Sequence, residues 1–184
     1  MRDDPRPNSL HGFILRFLDR TNFIVTASTA VTVLYTRSAG ITYFCAGAVA
    51  CTVSVKCIKQ ILQQARPVQT AHRRQKQTFG MPSTHSAAIM FYGTYITLAC
   101  AWLPLHVSLP ESPLLRPFVA LVTVPWACAV ASSRILLGHH TAPQVLVGCI
   151  YGFTFAYVWF WAWTHGLSDL GQIVELHVNA YIGS

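Results

Sequence analysis

Charge is scarce in this sequence. Charged residues occupy 10% of its 184 positions, against about 25% in an ordinary soluble domain. Acid is scarcer still, with 6 Asp and Glu beside 13 Lys and Arg. No acidic cluster falls inside the apolar runs, so a carboxylate cage for a divalent metal is not expected and the chemistry needs no cofactor. Cysteine is present but unpatterned. Cys45, Cys51, Cys57, Cys100, Cys128 and Cys149 lie in or beside apolar runs and none forms a CxxC pair. That disfavours zinc and leaves them as small buried hydrophobes. There is no Asn-x-Ser/Thr sequon, no internal repeat, and no basic domain with interleaved aromatics that would track a nucleic acid strand. The first residues, with Asp3, Asp4, Pro5, Pro7 and Asn8, lack the basic-then-apolar plan of a cleaved signal.

What is abundant is hydrocarbon. Hydrophobic residues make up 53% of the chain and mean hydropathy is +0.42. They come in blocks long enough to cross a bilayer, which takes roughly 20 helical residues. The expected fold class is all-α: a polytopic membrane helix bundle of about five transmembrane helices, preceded by an amphipathic helix. Residues 1–21 read as a polar tail and that helix, with Leu10, Phe13, Ile14, Phe17 and Leu18 at helical spacing. Residues 22–164 read as the membrane domain. Its spans are Phe23–Tyr35 (short for a crossing), Ile41–Leu62, Ser83–Leu105, Phe118–Leu137 and Val145–Trp163. The last ends in an aromatic belt of Tyr157, Trp159, Phe160, Trp161 and Trp163. Residues 165–184 are a tail, amphipathic at best, to which the sequence assigns no task.

Alternation of the spans then does some deciding. The end of the second span, the start of the third, the end of the fourth and the start of the fifth share one membrane face. Those ends carry Lys59 and Arg66, Ser83 and His85, Arg134, and His140. Each cation alone could be a snorkelling anchor at the head groups. Independent anchors have no reason to gather on these four ends. Arg66 and Arg134 can fork onto phosphate oxygens, and Lys59 adds a point charge. Gly80-Met81-Pro82-Ser83-Thr84-His85 turns into a helix start, with Ser83 or Thr84 as N-cap, where free N–H groups and the dipole suit an anion. A phosphate so held, with two histidines near it, is equipped for phosphoryl transfer: one histidine attacks phosphorus and the other protonates the leaving oxygen.

Three spaced motifs carry a resemblance: Lys59-(six residues)-Arg66-Pro67, Pro82-Ser83-Thr84-His85, and Ser133-Arg134-(five residues)-His140. Together they are similar to the signature of the type 2 phosphatidic acid phosphatase/haloperoxidase superfamily. The resemblance implies His140 as nucleophile and His85 as general acid, with Lys59, Arg66, Ser83, the Thr84 backbone and Arg134 binding phosphate. His139, Arg73, Arg74 and Lys76 fall off the pattern and read as bystanders. Two departures stand out. Thr84 replaces the family's usual Gly. Gln144 replaces its usual Asp, and a Gln carbonyl can orient an imidazole without neutralising it. Gln at this place resembles the dolichyldiphosphatase branch, although Gln64-Ala65 stands where that branch has Glu-Pro.

That branch implies an endoplasmic reticulum membrane enzyme. It would cleave a polyprenyl (dolichyl) diphosphate to the monophosphate through a phosphohistidine, supporting dolichol recycling for N-glycosylation. Its partners would be the lipid diphosphate and membrane lipids, with no nucleic acid. The alternatives are a phosphatase for phosphatidate or a sphingoid phosphate, and a catalytically weak lipid-phosphate binder marked by Gln144. Sidedness is read two ways: the basic loop favours a cytoplasmic site by the positive-inside rule, and the resemblance implies a lumenal one.

Overall fold

The computed structural model describes residues 14–15, 17–18, 20–67, 78–105 and 112–182, and every regular element among them is helical. In chain order these are α1 (Thr21–Thr36), α2 (Ala39–Leu62), α3 (Thr84–Trp102), α4 (Leu115–Leu136), α5 (Ala142–Ala162) and α6 (Ser168–Ile182). The first five lie where hydropathy places the spans. Arg73, Arg74, Lys76 and most of the N-terminal segment lie outside the described residues.

Three stretches among the described residues are long and apolar enough to cross a membrane: Ala39–Leu62, Leu115–Leu136 and Ala142–Tyr181. α1, at 16 residues, reaches only about 24 Å, short of a core of about 30 Å. α3 is the instructive case. It carries Thr84, His85, Ser86, Thr94 and Thr97 within 19 residues, yet it is the centre of the bundle, packed along α4 and α5 and touching α2. A helix that faces protein does not need the hydropathy of one that faces lipid. Its buried Ala87, Phe91 and Tyr95 form the main core with Cys51 and Val55 of α2 and Ala156 and Phe160 of α5.

The α3–α5 seam is set by small residues. Gly148, Gly152 and Ala156 recur every fourth position along one side of α5, a spacing that lets helix backbones approach closely. A Cβ on Gly148 would lie 2.7 Å from the Ser83 carbonyl oxygen. The seam therefore sits directly under the start of α3.

Three sequence expectations change. The aromatic belt is only partly a belt: Tyr157 and Trp161 are exposed, while Phe160 and Trp163 are buried and Trp159 stacks on Tyr43 at 4.9 Å. Successive helical residues point about 100° apart, so a continuous aromatic run cannot all face lipid. The cysteines divide likewise, with Cys51 buried but Cys57 and Cys128 exposed, and all six are free thiols. The C-terminal segment also has a place. The backbone breaks at His165 and at Gly166 (φ 133°), a conformation that favours glycine. α6 then returns over the start of α2, where Glu175 Oε2 accepts from the Ala39 amide at 2.7 Å. At the other end of the bundle, Leu15 and Leu18 are buried and Phe17 meets Trp126 edge-on at 5.6 Å. The N-terminal helical residues thus lie against α4.

Candidate active site

The turn between α4 and α5 shows how local sequence places a candidate catalytic side chain. Gly138 takes a left-handed conformation (φ 69°), the usual way to wrap a chain over a helix end. The amides of His139 and His140 then both fold back onto the Arg134 carbonyl, at 3.0 and 3.2 Å. Thr141 is the N-cap of α5 and Gln144 its third residue, whose Oε1 accepts from the Thr141 amide at 3.2 Å. His140 is trapped between one helix's end and the next helix's start. It is 4% exposed.

Gln144 joins that turn to the rest of the site. Its Oε1 lies 3.3 Å from His140 Nδ1. Its Nε2 donates to Gln64 Oε1 and to the Ala65 carbonyl, both at 3.0 Å. Its own carbonyl accepts from the Ser83 amide at 3.0 Å, and the Gly80 amide reaches the Gln64 carbonyl at 2.7 Å. Gly80 must be glycine for this to close, since a Cβ there would sit 2.5 Å from Gln144 Nε2.

The cations ring the same turn. Arg66 donates from Nε and Nη2 to the Thr78 carbonyl and hydroxyl, each at 2.8 Å, and from Nη1 to the His139 carbonyl at 3.3 Å. That uses three of a guanidinium's five N–H groups. Lys59, buried in the last turn of α2, donates Nζ to the Phe79 carbonyl at 3.2 Å. His140 feels the ring. Burial, and then the charges of Arg66 and Lys59, push its pKa down to about 3, against weaker opposing hydrogen bonds with Gln144 and the Gly80 backbone. The imidazole is neutral at ordinary pH.

Ser83 is fully buried and caps α3, with its Oγ accepting from the Ser86 amide at 3.4 Å and the Ser86 hydroxyl at 2.9 Å. Its own hydroxyl proton is not used by these bonds. Thr84 and His85 follow in the first turn of α3, half-buried. Arg134 joins this ring through its carbonyl, while its side chain reaches the N-terminal residues. It is 1% exposed; Nη2 donates to the Leu18 carbonyl at 3.0 Å, and both Nε and Nη2 reach Ser133 Oγ. Sequence reasoning did not foresee this tie to the N-terminal helix. Nor did it assign Gln64 a task; its only signal was a departure from a motif.

Below the site the bundle is open. A cavity of about 1230 Å³ starts at Ile89, one turn along α3 from His85, and is lined further by Ile24, Phe44, Tyr92, Val119 and Trp126. Its walls are mostly apolar, with Ser28, Thr32, Arg116 and Glu175 among the polar residues that line it. Taken together, the arrangement offers a cationic, partly desolvated cup with a helix N-terminus and a neutral imidazole, above a hydrocarbon-lined space. Such a cup suits a phosphate joined to a lipid.

A sequence model described as the PAP2 superfamily matches residues 38–166. The chain belongs to the PAP2 superfamily. Human dolichyldiphosphatase 1 is 28% identical over 159 residues, covering 82% of this chain and 64% of that protein. Lipid phosphate phosphatase gamma of Arabidopsis thaliana is 29% identical over 121 residues, 64% of this chain and 51% of that one. This PAP2 chain thus spans less than two thirds of the length of these curated relatives. Its fold is shared with a crystal structure of a transmembrane PAP2 type phosphatidylglycerolphosphate phosphatase from Bacillus subtilis. The TM-score there is 0.63 at 20% identity, over 86% of this chain and 77% of that one. The PAP2 sequence match, residues 38–166, runs from the start of α2 to the kink after α5 and includes every helix end that forms the cup.

Proposed function

We propose that this PAP2 protein is a membrane lipid phosphatase whose preferred substrate is a polyprenyl diphosphate. The observation that carries the reading is His140: buried, uncharged, bonded through Nδ1 to Gln144 and flanked by Lys59 and Arg66. Lys59, Arg66, Ser83 and the Thr84 amide bind the terminal phosphate, and Arg134 adds its buried charge from beneath the turn. His140 Nε2 attacks phosphorus and the P–O bond to the leaving group breaks. His85 gives its proton to the leaving oxygen. Water, deprotonated by His85, then cleaves the phosphohistidine. Charge that spreads over the equatorial oxygens in each step meets fixed cations and N–H groups. The apolar cavity receives the lipid's hydrocarbon. Gln144 and the dolichyldiphosphatase relatives favour a diphosphate on a polyprenyl chain, and with it an endoplasmic reticulum membrane and a part in dolichol recycling for N-glycosylation.

The test is phosphate release by the purified protein from dolichyl diphosphate, phosphatidate and a sphingoid phosphate. Dolichyl diphosphate should be hydrolysed fastest. His140→Ala should abolish turnover, and His139→Ala should keep most of it. Faster release from either monophosphate would overturn the polyprenyl assignment. Stabilisation of the fold by phosphate without any hydrolysis would instead mark a binding protein.

A further inference from the structure

Attack by His140 Nε2 requires the ring proton to sit on Nδ1, and something must hold it there. A neutral imidazole has one N–H and one lone pair, and their positions follow from the partner of the other nitrogen. The partner here is Gln144, whose amide has a donor end and an acceptor end. Two backbone groups of unchangeable character fix which end is which. The Thr141 N–H can only donate, and it meets Oε1 at 3.2 Å. The Ala65 carbonyl can only accept, and it meets Nε2 at 3.0 Å. Gln64 Oε1 is a second acceptor on Nε2, also at 3.0 Å.

With the amide so held, Oε1 faces His140 Nδ1 and can only accept. Gln144 thus favours the ring proton on Nδ1 and the lone pair on Nε2, against the pull of the Gly80 backbone, the ring's other hydrogen-bond partner. Turning the amide over would aim an N–H at Nδ1, put the ring proton on Nε2 and remove the nucleophile. It would also set the amide oxygen against the Ala65 carbonyl. Gln64 differs from the two backbone groups because it is a side chain, exposed just past the end of α2. Its side chain can be changed while its backbone bond to Gly80 is kept.

We propose that Gln64 is a positioning residue, which with the Ala65 carbonyl holds the Gln144 amide in the orientation that keeps the His140 Nε2 lone pair free for phosphorus. The inference rests on the reading of His140 as nucleophile. It adds that the segment bearing Arg66 controls that nucleophile's tautomer as well as binding phosphate. In the reaction the N–P bond forms from the Nε2 lone pair as the P–O bond breaks. The leaving oxygen takes its proton from His85, and the Nδ1 proton stays on the ring against Gln144.

The experiment compares wild type, Gln64→Ala and Gln64→Glu as purified full-length protein. It uses steady-state kinetics together with ¹⁵N spectra of histidine-labelled protein, with His140 assigned by its loss in His140→Asn. Removing one acceptor from the amide should lower kcat by about 3-fold to 10-fold with KM little changed, the scale of one hydrogen bond. The His140 signals should move away from a pure Nδ1–H pattern. Gln64→Glu keeps an acceptor in place and should return both kcat and spectrum to near wild type. Unchanged kcat and ¹⁵N pattern in Gln64→Ala would overturn the proposal, and so would a Gln64→Glu protein as impaired as Gln64→Ala. If Gln64→Ala does not fold, Gln64→Met is read in its place against the same outcomes. If wild type hydrolyses no lipid phosphate, the functional reading fails, and the ¹⁵N comparison alone decides on the lock.

Discussion

A methyl group added at Gly148 tests how finely the site depends on the α3–α5 seam. A Cβ there would stand 2.7 Å from the Ser83 carbonyl oxygen and 3.2 Å from the Ser83 nitrogen, while ordinary contact begins at 3.4 Å. These are backbone atoms and cannot swing away. The helices must therefore part by roughly 0.5–0.7 Å, since a close-packed interior has no slack to absorb a methyl. Ser83 caps the helix that carries His85, and α5 carries Gln144. The opening thus separates the proposed acid from the proposed nucleophile, while the cations on α2 and the following loop keep their places. A misplacement of about 1 Å can cost about 100-fold in rate, so Gly148→Ala should lose about 10-fold to 100-fold in kcat with a smaller change in KM. Overpacking costs about 1–3 kcal/mol, which for a chain of this length is a fall of roughly 2–12 °C in Tm. Two controls frame the result. In Gly93→Ala the new Cβ meets the Ala127 Cβ at 3.0 Å, on the α3–α4 side, and kcat should stay within about threefold because α4 need give only a few tenths of an ångström, away from Ser83. Ile150→Ala changes a lipid-facing residue, 58% exposed, and should be neutral. Phosphate release and thermal melting in one detergent measure all three. A Gly148→Ala protein with wild-type kcat and Tm would refute the claim that this seam sets the site.

The cation beside the proposed nucleophile should be visible in pH. Lys59 is among the causes that lower the His140 pKa, so Lys59→Met should raise it towards the ordinary histidine value. The attacking imidazole must be neutral, and kcat/KM reports the free enzyme. The acid limb of kcat/KM should therefore move to higher pH, apart from any uniform loss from weaker phosphate binding, and an unmoved limb would count against the electrostatic account. At the far end of the bundle, Glu175→Leu removes an anion bonded to the first amide of α2. That should cost about 1–2 kcal/mol and lower Tm by several degrees without changing kcat. Glu175→Gln, which keeps an acceptor without the charge, should recover part of the loss, and full recovery there would show that the charge is irrelevant.

The site was more legible than the bundle around it, for a physical reason. Phosphoryl chemistry needs cations and imidazoles at places where hydrocarbon makes them conspicuous. Lys59, Arg134 and His140 stand out at span ends, and alternation of the spans brings those ends to one face. The bundle's own cohesion leaves fainter marks. α3 is polar enough to fall below α2, α4 and α5 in hydropathy, because its neighbours rather than lipid surround it. The tail hides its docking in Gly166, Gly171 and Glu175, which follow no hydrophobic period.

Hardest to see was Gln64. An amide that accepts one hydrogen bond across 80 residues has neither periodicity nor charge to announce it. The sequence registers it only through Gln64-Ala65, which departs from the dolichyldiphosphatase branch, and Gln144, which that branch shares, two features that look independent. In the folded chain they are in contact. With Asp at 144, the side chain would have no donor for the Ala65 carbonyl; with Gln, it needs acceptors on that side to keep its oxygen on His140. Under the proposed role of His140, Gln144 and the acceptors at 64–65 act together to hold a neutral imidazole with its lone pair towards phosphate. A Gln144→Asp protein in this background should show the problem reopened: the Ala65 carbonyl then faces a carboxylate, and turnover should fall although the residue restored is the one usual in the family. Full activity there would mean that the 64–65 segment does not constrain residue 144.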